Sequence, residues 1–556
     1  MAINYNNLVN LHRRQAERFG ARPALRFKRS GLYHDLSWLD YLEQSRACAA
    51  ALIQAGLAVG DRVGLLSENR VEWLVADMGI LASGCVNVPP HAPLTARQVQ
   101  FQLADAGVRW LFVSTAEQLH KIETIRHQLP ELKGVVAFDG PFAGCPSWNG
   151  FLQEGRQTLD QHASELDHRA DDLDSESLAT IMYTSGTTGN PKGVMLTHGN
   201  LLSNACATDE ASPRDADAIL LNWLPFSHIY ARTVDHYLTL IAGVILCLAE
   251  STETVLQNLE DIQPTHISSV PRLYEKVLAA VKSTDEAETH RRLRAIFGSR
   301  IDWLGSGGAP LPLVIAREFQ KAGLLILQGY GLTESSPVIA FNRKTYFKLE
   351  TVGQAIPGVD IAIAADGEVL TRGPHVMKGY WNDPEASAAA IHDGWLCTGD
   401  LGRLDEEGFL TITGRKKEIL VLSSGKKVVP NHLEGLLLAD PCIDQAVIYG
   451  EGRKFLTALI VPNWDNVLQA LADGEKSQAA SSLRAPKSLA DDPVVKELLA
   501  RRINMALREV SSWEQVRNFV VLPRPFSVEA EELTVSLKMR RQVVFEKYQA
   551  ELEKLY

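Results

Sequence analysis

Short apolar bursts alternate with helix-spaced apolar positions through the first third of the chain. Residues 63–66, 85–88, 108–113 and 135–138 are strand-length runs, while Trp73, Leu74, Asp77, Met78 and Leu81 recur at a helical period. Strand and helix taking turns in this way predict a wound α/β sheet. Further on, residues 179–183, 324–327 and 455–462 read as strands, and the segments after Thr197 and over 493–510 read as helices. Residues 473–492, rich in Ala, Ser, Lys and Asp around Pro486, read as a solvated insertion and a poor place for chemistry. No repeat at a solenoid period is present. The longest apolar run, residues 238–249, is well short of the ~20 residues that a spanning helix needs.

Composition narrows the function classes. A chain of 556 residues is long for one core and implies several subdomains. Its apolar content of 46% fits a soluble globular protein, and a net charge of −11 argues against a general nucleic-acid surface. Seven cysteines, Cys48, Cys85, Cys145, Cys206, Cys247, Cys397 and Cys442, are scattered without a C-x-x-C pair or His companions at zinc spacing. That pattern predicts a reduced, cytoplasmic chain without a structural metal. The first 20 residues lack the apolar core of a signal peptide. Peripheral contact with the inner face of a membrane stays open.

Candidate chemistry concentrates at YTSGTTGNPKGV, residues 183–194. Gly186, Gly189 and Gly193 permit left-handed backbone angles and close approach of N–H groups. Thr184, Ser185, Thr187 and Thr188 add hydroxyl donors, and Lys192 adds a mobile positive charge. Together they suit a polyphosphate. The spacing is not that of a Walker A loop, because Pro191 precedes Lys192 and Gly193 follows it. The bland alternative is a Gly/Thr-rich surface turn.

Three further segments matter beside it. In QGYGLTESSP, residues 328–337, a strand delivers a turn with Tyr330, Thr333 and Glu334. An aromatic face, a hydroxyl and a carboxylate there could stack on a base, bond a phosphate and hold Mg²⁺, or the segment could be a plain turn with a buried Tyr. In GWLCTGDLG, residues 394–402, Asp400 sits between glycines, where a lone Asp is more often a turn former than a ribose ligand. TGRKKEILVLSSGKKVVP, residues 413–430, puts a cationic turn before a Gly-centred loop, which by itself reads as a solvated charge run.

In this order, those segments resemble the superfamily of AMP-forming adenylating enzymes, which includes acyl-CoA synthetases, peptide-synthetase adenylation domains and beetle luciferases. The resemblance covers nearly the whole chain. It is greatest to the long-chain fatty-acyl-CoA synthetases, on the strength of LPFSHIYAR (224–232), VPRLYEKV (270–277), GSGGAPL (305–311), RGPHVMKGYW (372–381) and GRKKEILVLSSGK (414–426). It implies an α/β fold in which residues 1–414 form a large N-terminal adenylating domain of wound sheets with a β-rich subdomain. Residues 415–417 would be a hinge, and 418–556 a small mobile α+β domain.

The resemblance also implies roles. Thr184, Ser185, Gly186, Thr187, Thr188, Gly189 and Lys192 would hold the β- and γ-phosphates of ATP. Gly307, Gly308 and Ala309 with Gln328, Gly329 and Tyr330 would frame adenine. Thr333 would touch the α-phosphate, Glu334 with Thr184 would bind Mg²⁺, and Asp400 with Arg415 would hold the ribose. His228 would lie at the mouth of the carboxylate pocket, although a satisfied core histidine beside Pro225 is the equal alternative. Lys538 would reach the substrate carboxylate and α-phosphate. Lys417 matches the hinge, whose rotation would exchange Lys538 for the 423–427 loop at a thiol tunnel. The chain departs from the family in reading TVS before Lys538 and in having Lys427 where Asn is usual. It also carries Arg232 where some bacterial long-chain enzymes have an aromatic gate, which leaves gating unassigned.

The implied activity is ATP- and Mg²⁺-dependent joining of a medium- to long-chain fatty acid to coenzyme A through acyl-AMP. A rival within the superfamily passes the acyl group to a carrier protein. A non-catalytic acyl-adenylate-binding protein ranks below both, because Lys192, Glu334 and Lys538 are all present. Acyl chain length and oligomeric state are not legible.

Overall fold

The computed structural model describes residues 6–184, 190–472, 489–527, 530–533 and 539–556. The chain falls into two units, residues 1–363, 370–398 and 404–411, and residues 364–369, 399–403 and 412–556.

Two wound sheets build the first unit. One has seven strands in the order Gly379–Tyr380, Lys192–Thr197, Leu178–Thr184, Val86–Val88, Arg62–Leu66, Val108–Val113 and Gly134–Ala137. From Leu178–Thr184 onward the strands are parallel, and the first two are antiparallel additions. The other has nine strands, and its run from Ile326–Gly331 through Trp303–Ser306, His266–Ser269, Ile219–Asn222 and Ile245–Leu248 to Pro23–Arg29 is parallel. Such strands are covered on both faces, which is why they read as continuous apolar runs rather than alternating ones. Trp38, Trp73, Phe112 and Phe226 are buried in the core of this unit. Each contributes roughly 1.5–3 kcal/mol relative to exposure.

The wound α/β class expected from the hydrophobic pattern is found. The expected helix after Thr197 runs over His198–Ala211, with the Thr197 side chain accepting the Asn200 N–H. The long apolar run divides into the helix Leu238–Ala242 and the strand Ile245–Leu248. Among the described residues no helix is long and apolar enough to cross a membrane. The strands Asp360–Ile363, Glu368–Arg372, Ile391–His392, Trp395–Leu404 and Leu410–Arg415 supply the β-rich part.

Three local expectations are corrected. A strand, Lys192–Thr197, intervenes between the Gly-rich loop and its helix, because KGVML pairs antiparallel with Leu178–Thr184. The strand expected at 324–327 runs instead over Ile326–Gly331, so Tyr330 lies on it, paired with Ala340. Asp400 is no turn former: it is buried in the ten-residue strand Trp395–Leu404.

Arg232 is fully buried. Its guanidinium donates 2.5 Å to Asp77, 2.7 Å to the Thr180 hydroxyl and 2.9 Å to the Tyr237 hydroxyl. Asp77 also accepts Tyr237 at 2.8 Å and Asn87 at 2.6 Å. Despite its burial, the carboxyl of Asp77 is held well below its ordinary range by the Arg232 charge and these bonds. One network thereby ties the helix Val71–Ala82, the strands Val86–Val88 and Leu178–Thr184, and the π-helical turn Ala231–Tyr237.

The second unit is α+β. Ile443–Tyr449 and Leu456–Pro462 are antiparallel, and Val516–Val521 joins them in parallel. The helices Pro430–Leu438 and Pro493–Ala506 bury Leu433, Leu437, Val495 and Leu499 in its core. The segment expected to be helical to residue 510 stops at Ala506, where the Leu507 N–H caps the helix on Ile503 and Met505. The expected insertion lies, for residues 473–488, outside the described residues.

Candidate active site

The strands Leu178–Thr184 and Lys192–Thr197 pair antiparallel and flank the candidate phosphate segment. Thr184 and Lys192 face each other in register at one end of the pair, and in the sequence residues 185–191 lie between them. Ser185, Gly186, Thr187, Thr188 and Gly189 lie outside the described residues. The hairpin is braced from outside: the Tyr183 hydroxyl donates 2.6 Å to Asp105, and the Trp381 N–H donates 2.7 Å to the Gly193 carbonyl.

The YGLTE segment arrives on the neighbouring sheet. Its backbone makes a tight reversal after Gly331, where a side chain would begin 1.7 Å from the Pro337 carbonyl oxygen. Only glycine fits there. Thr333–Ser335 then forms one 3₁₀ turn, and the Ser335 hydroxyl pins the reversal by donating 2.6 Å to the Pro337 carbonyl. Thr333 and Glu334 are half-buried at this turn. Gln328 is buried on the preceding strand and donates 2.6 Å to the Leu349 carbonyl, and Gly329 pairs with Phe341.

Glu334 and Lys192 are brought together by Tyr380. The Tyr380 hydroxyl donates 3.0 Å to one Glu334 oxygen, and the Lys192 ammonium stands 4.9 Å from the centre of the Tyr380 ring. Burial, and then the Glu334 charge, push the Tyr380 phenol far up, so it remains a donor. Lys192 also lies 3.8 Å from Asp383, with both side chains about two-fifths exposed. A pair so open to water is worth only about 0–1 kcal/mol. The Glu334 carboxylate is a hard oxygen donor of the kind Mg²⁺ takes.

Gly307, Gly308 and Ala309 follow the strand Trp303–Ser306 as a loop. The Gly307 N–H donates 3.1 Å to Ser269, and a side chain on Gly307 would begin 3.2 Å from the Tyr230 ring. Backbone and aromatic ring are thus in close approach. His228 is half-buried just before the π-helical turn, and its Nδ1 accepts the Tyr230 N–H at 3.2 Å. In a neutral ring the proton then sits on Nε2, which leaves that edge a donor. The His91 imidazole stacks against it with centroids 6.4 Å apart, and burial lowers the His91 pKa to about 4.

Within the second unit, Asp400 and Arg415 meet: Arg415 Nε donates 2.7 Å to the Asp400 carboxylate. In the exposed cationic turn Lys416 bonds Glu368 at 2.8 Å and Asp366 at 2.6 Å. Lys417 is exposed in the 3₁₀ turn Lys416–Glu418. The Gly-centred loop is a hairpin tip between Leu420–Val421 and Lys427–Val428, with Lys426 over the Trp513 ring at 4.6 Å. Lys538 lies outside the described residues.

Tyr380, Asp383, Tyr230 and His91 were not singled out from the sequence. Tyr380 stood inside the segment RGPHVMKGYW, whose likeness to known enzymes was a signal without a role attached. His91 carried no signal, since its stacking on His228 depends on two segments 137 positions apart, a separation read directly from the numbering.

The chain is similar in sequence and in fold to known proteins. The sequence profile described as AMP-binding enzyme matches residues 12–381, and that of the AMP-binding enzyme C-terminal domain matches 417–556. The long-chain-fatty-acid–CoA ligase FadD15 of Mycobacterium bovis is 34% identical over 95% of this chain and 93% of its own length. The long-chain-fatty-acid–CoA ligase ACSBG2 of Rattus norvegicus is 28% identical over 99% of this chain and 92% of its own. Among solved structures, the anthranilate CoA ligase AuaEII in complex with anthranoyl-AMP superposes with a TM-score of 0.80 at 20% identity, covering 99% of this chain and 98% of that one. That likeness is one of fold. With both profiles matched in sequence order and a relative similar along almost its entire length, the chain belongs to the AMP-binding enzyme family.

Proposed function

We propose that this chain is an ATP- and Mg²⁺-dependent ligase that activates a medium- to long-chain fatty acid as acyl-AMP and transfers the acyl group to coenzyme A. The observation that carries the reading is that Tyr380 meets both Glu334, through its hydroxyl, and Lys192, through its ring, where the Gly/Thr-rich sequence between Thr184 and Lys192 ends. A cation for phosphate beside a carboxylate for a metal suits a nucleotide triphosphate. The fatty acid is favoured by the similarity to long-chain-fatty-acid–CoA ligases along nearly the full chain.

A carboxylate is a poor acylating agent. Here one of its oxygens attacks the α-phosphorus of ATP, the bond to the β-phosphate oxygen breaks, and pyrophosphate leaves. The sulfur of a thiol then attacks the acyl carbon, the bond from that carbon to the AMP oxygen breaks, and the thiol proton passes to solvent. Lys192 and the 184–189 loop are assigned to the β- and γ-phosphates, and Thr333 to the α-phosphate. Glu334 and Thr184 would hold Mg²⁺, which supplies charge neutralisation along the triphosphate. Gly307, Gly308, Ala309, Gln328, Gly329 and Tyr330 are assigned to adenine, and Asp400 with Arg415 to the ribose. His228 Nε2–H suits the fatty-acid carboxylate, and Lys538 is assigned to the charge that develops when the two anions meet. Lys417 is assigned to the hinge and the 423–427 loop to the thiol half-reaction.

The test is acid-dependent pyrophosphate release and thioester formation over a panel from butyrate to oleate, with CoA and with a carrier protein. Each methylene buried adds about 0.8 kcal/mol, so kcat/KM with CoA rises to a maximum between dodecanoate and oleate. An optimum at an aryl acid or an amino acid removes the fatty-acid assignment. Acyl-AMP without acyl-CoA, but with loaded carrier, favours the carrier-protein reading.

A further inference from the structure

We propose that Tyr380 is a positioning residue for the adenylation step: its hydroxyl fixes the Glu334 carboxylate for the metal, and its ring holds Lys192 ready for the phosphates. This rests on the assignment of Glu334 and Lys192 given above.

The segment 377–381 stitches the YGLTE turn to the phosphate hairpin through its backbone. The Met377 N–H donates 2.9 Å to the Glu334 carbonyl, the Lys378 N–H 3.0 Å to Met195, and the Trp381 N–H 2.7 Å to Gly193. Gly379–Tyr380 is itself a strand, with Tyr380 opposite Val194 and two residues along from Lys192. The Tyr380 N–H donates 2.8 Å to the Ser387 hydroxyl, which also donates 2.7 Å to Asp383. The backbone of Tyr380 is therefore fixed on both sides before its side chain is considered.

The side chain repeats that bridge with chemistry. A phenol carries the proton and a carboxylate only accepts, so across the 3.0 Å bond Tyr380 donates and Glu334 accepts. A carboxylate anchored at one oxygen loses its rotational freedom and presents the other in a single orientation, as partners behind a metal ligand do. The ring acts differently on Lys192. An aromatic face attracts an ammonium without neutralising it, whereas a direct ion pair with Glu334 would consume the charge of both groups. Among the described residues Lys192 pairs with the Asp383 carboxylate at 3.8 Å, and both side chains are about two-fifths exposed to water, so phosphate oxygens can displace it. Packing alone would need the ring and not the hydroxyl, and that separates the two accounts experimentally.

Tyr380→Phe keeps the ring and removes the donor, while Tyr380→Leu removes both; each is compared with Glu334→Gln. Two quantities are read: the Mg²⁺ concentration at half-maximal acyl-AMP formation, and the calorimetric ratio of the ATP Kd in EDTA to that in Mg²⁺. For Tyr380→Phe the expected result is a rise in Mg²⁺ requirement of about 10- to 100-fold, with the Kd ratio falling toward that of Glu334→Gln. The KM for the fatty acid and the rate of thioester formation from supplied acyl-AMP stay unchanged. Tyr380→Leu should in addition weaken ATP in EDTA, where only the Lys192 contribution is felt. If Tyr380→Phe keeps the wild-type Mg²⁺ requirement and Kd ratio while Glu334→Gln does not, the positioning role is overturned. If Glu334→Gln also behaves as wild type, the metal assignment falls and the proposal falls with it.

Discussion

His228 shows how one side chain is prepared by its neighbours. Its Nδ1 is committed to the Tyr230 N–H, its own carbonyl accepts the Arg232 N–H at 3.1 Å, and its ring lies on that of His91. With Nδ1 accepting, a neutral ring carries its proton on Nε2, and that edge is a donor. If that edge bonds the substrate carboxylate, the group common to every fatty acid, its loss acts equally on all chain lengths. His228→Ala is therefore expected to lower kcat/KM by about 10- to 100-fold, the equivalent of one hydrogen bond to a charged group, without moving the chain-length optimum. Kinetics over the acid panel check this, and a shifted optimum would place His228 along the acyl chain instead. Residue-scale geometry of this kind was only partly legible beforehand. The hydroxyls, glycines and Lys192 of the phosphate loop announce their chemistry by type and spacing, whereas Tyr380 and His91 act through partners far away in sequence, which no local pattern records.

The elements that carry these residues are held in place by buried polar contacts as well as by apolar burial. Arg232 is the centre of one such network, four positions after His228 and bonded to Thr180, which is four positions before Thr184. The strand that ends at Thr184 and the turn that follows His228 thus share one guanidinium. Removing it would leave Asp77 as an unpaired buried charge. Arg232→Met is expected to cost about 3–5 kcal/mol of stability, and the double variant with Asp77→Asn less than that, since a buried pair is often replaceable but half of one is not. Denaturant unfolding of the single and double variants checks the difference, and an additive result would show that the pair is not coupled. The elements themselves were largely readable, because parallel strands buried on both faces give unbroken apolar runs and the intervening helices keep their period. The strand Lys192–Thr197 was missed for a physical reason: its apolar residues are few, and its pairing is imposed by the hairpin that the loop closes. Asp400 was misjudged because flanking glycines suggest a turn, while the partner that draws it into a strand, Arg415, comes fifteen residues later.

For the whole molecule, the proposal requires two half-reactions that use different groups. Lys538→Ala is expected to abolish acyl-AMP formation and still turn supplied acyl-AMP and CoA into thioester. Lys417→Pro restricts φ at the hinge and is expected to do the reverse. Rapid-quench assays of each half separately decide this, and equal damage to both halves by both variants, in folded protein, contradicts the two-step division.

The central claim, a covalent acyl-AMP between acid and thiol, is tested most directly by following oxygen. A fatty acid labelled with ¹⁸O in its carboxylate is incubated with the enzyme, ATP, Mg²⁺ and CoA, and the nucleotide product is weighed by mass spectrometry. Because the carboxylate oxygen that attacks the α-phosphorus stays with the phosphate when sulfur displaces it, the account predicts AMP carrying one ¹⁸O and pyrophosphate carrying none. Unlabelled AMP, or ADP with labelled inorganic phosphate, would contradict it.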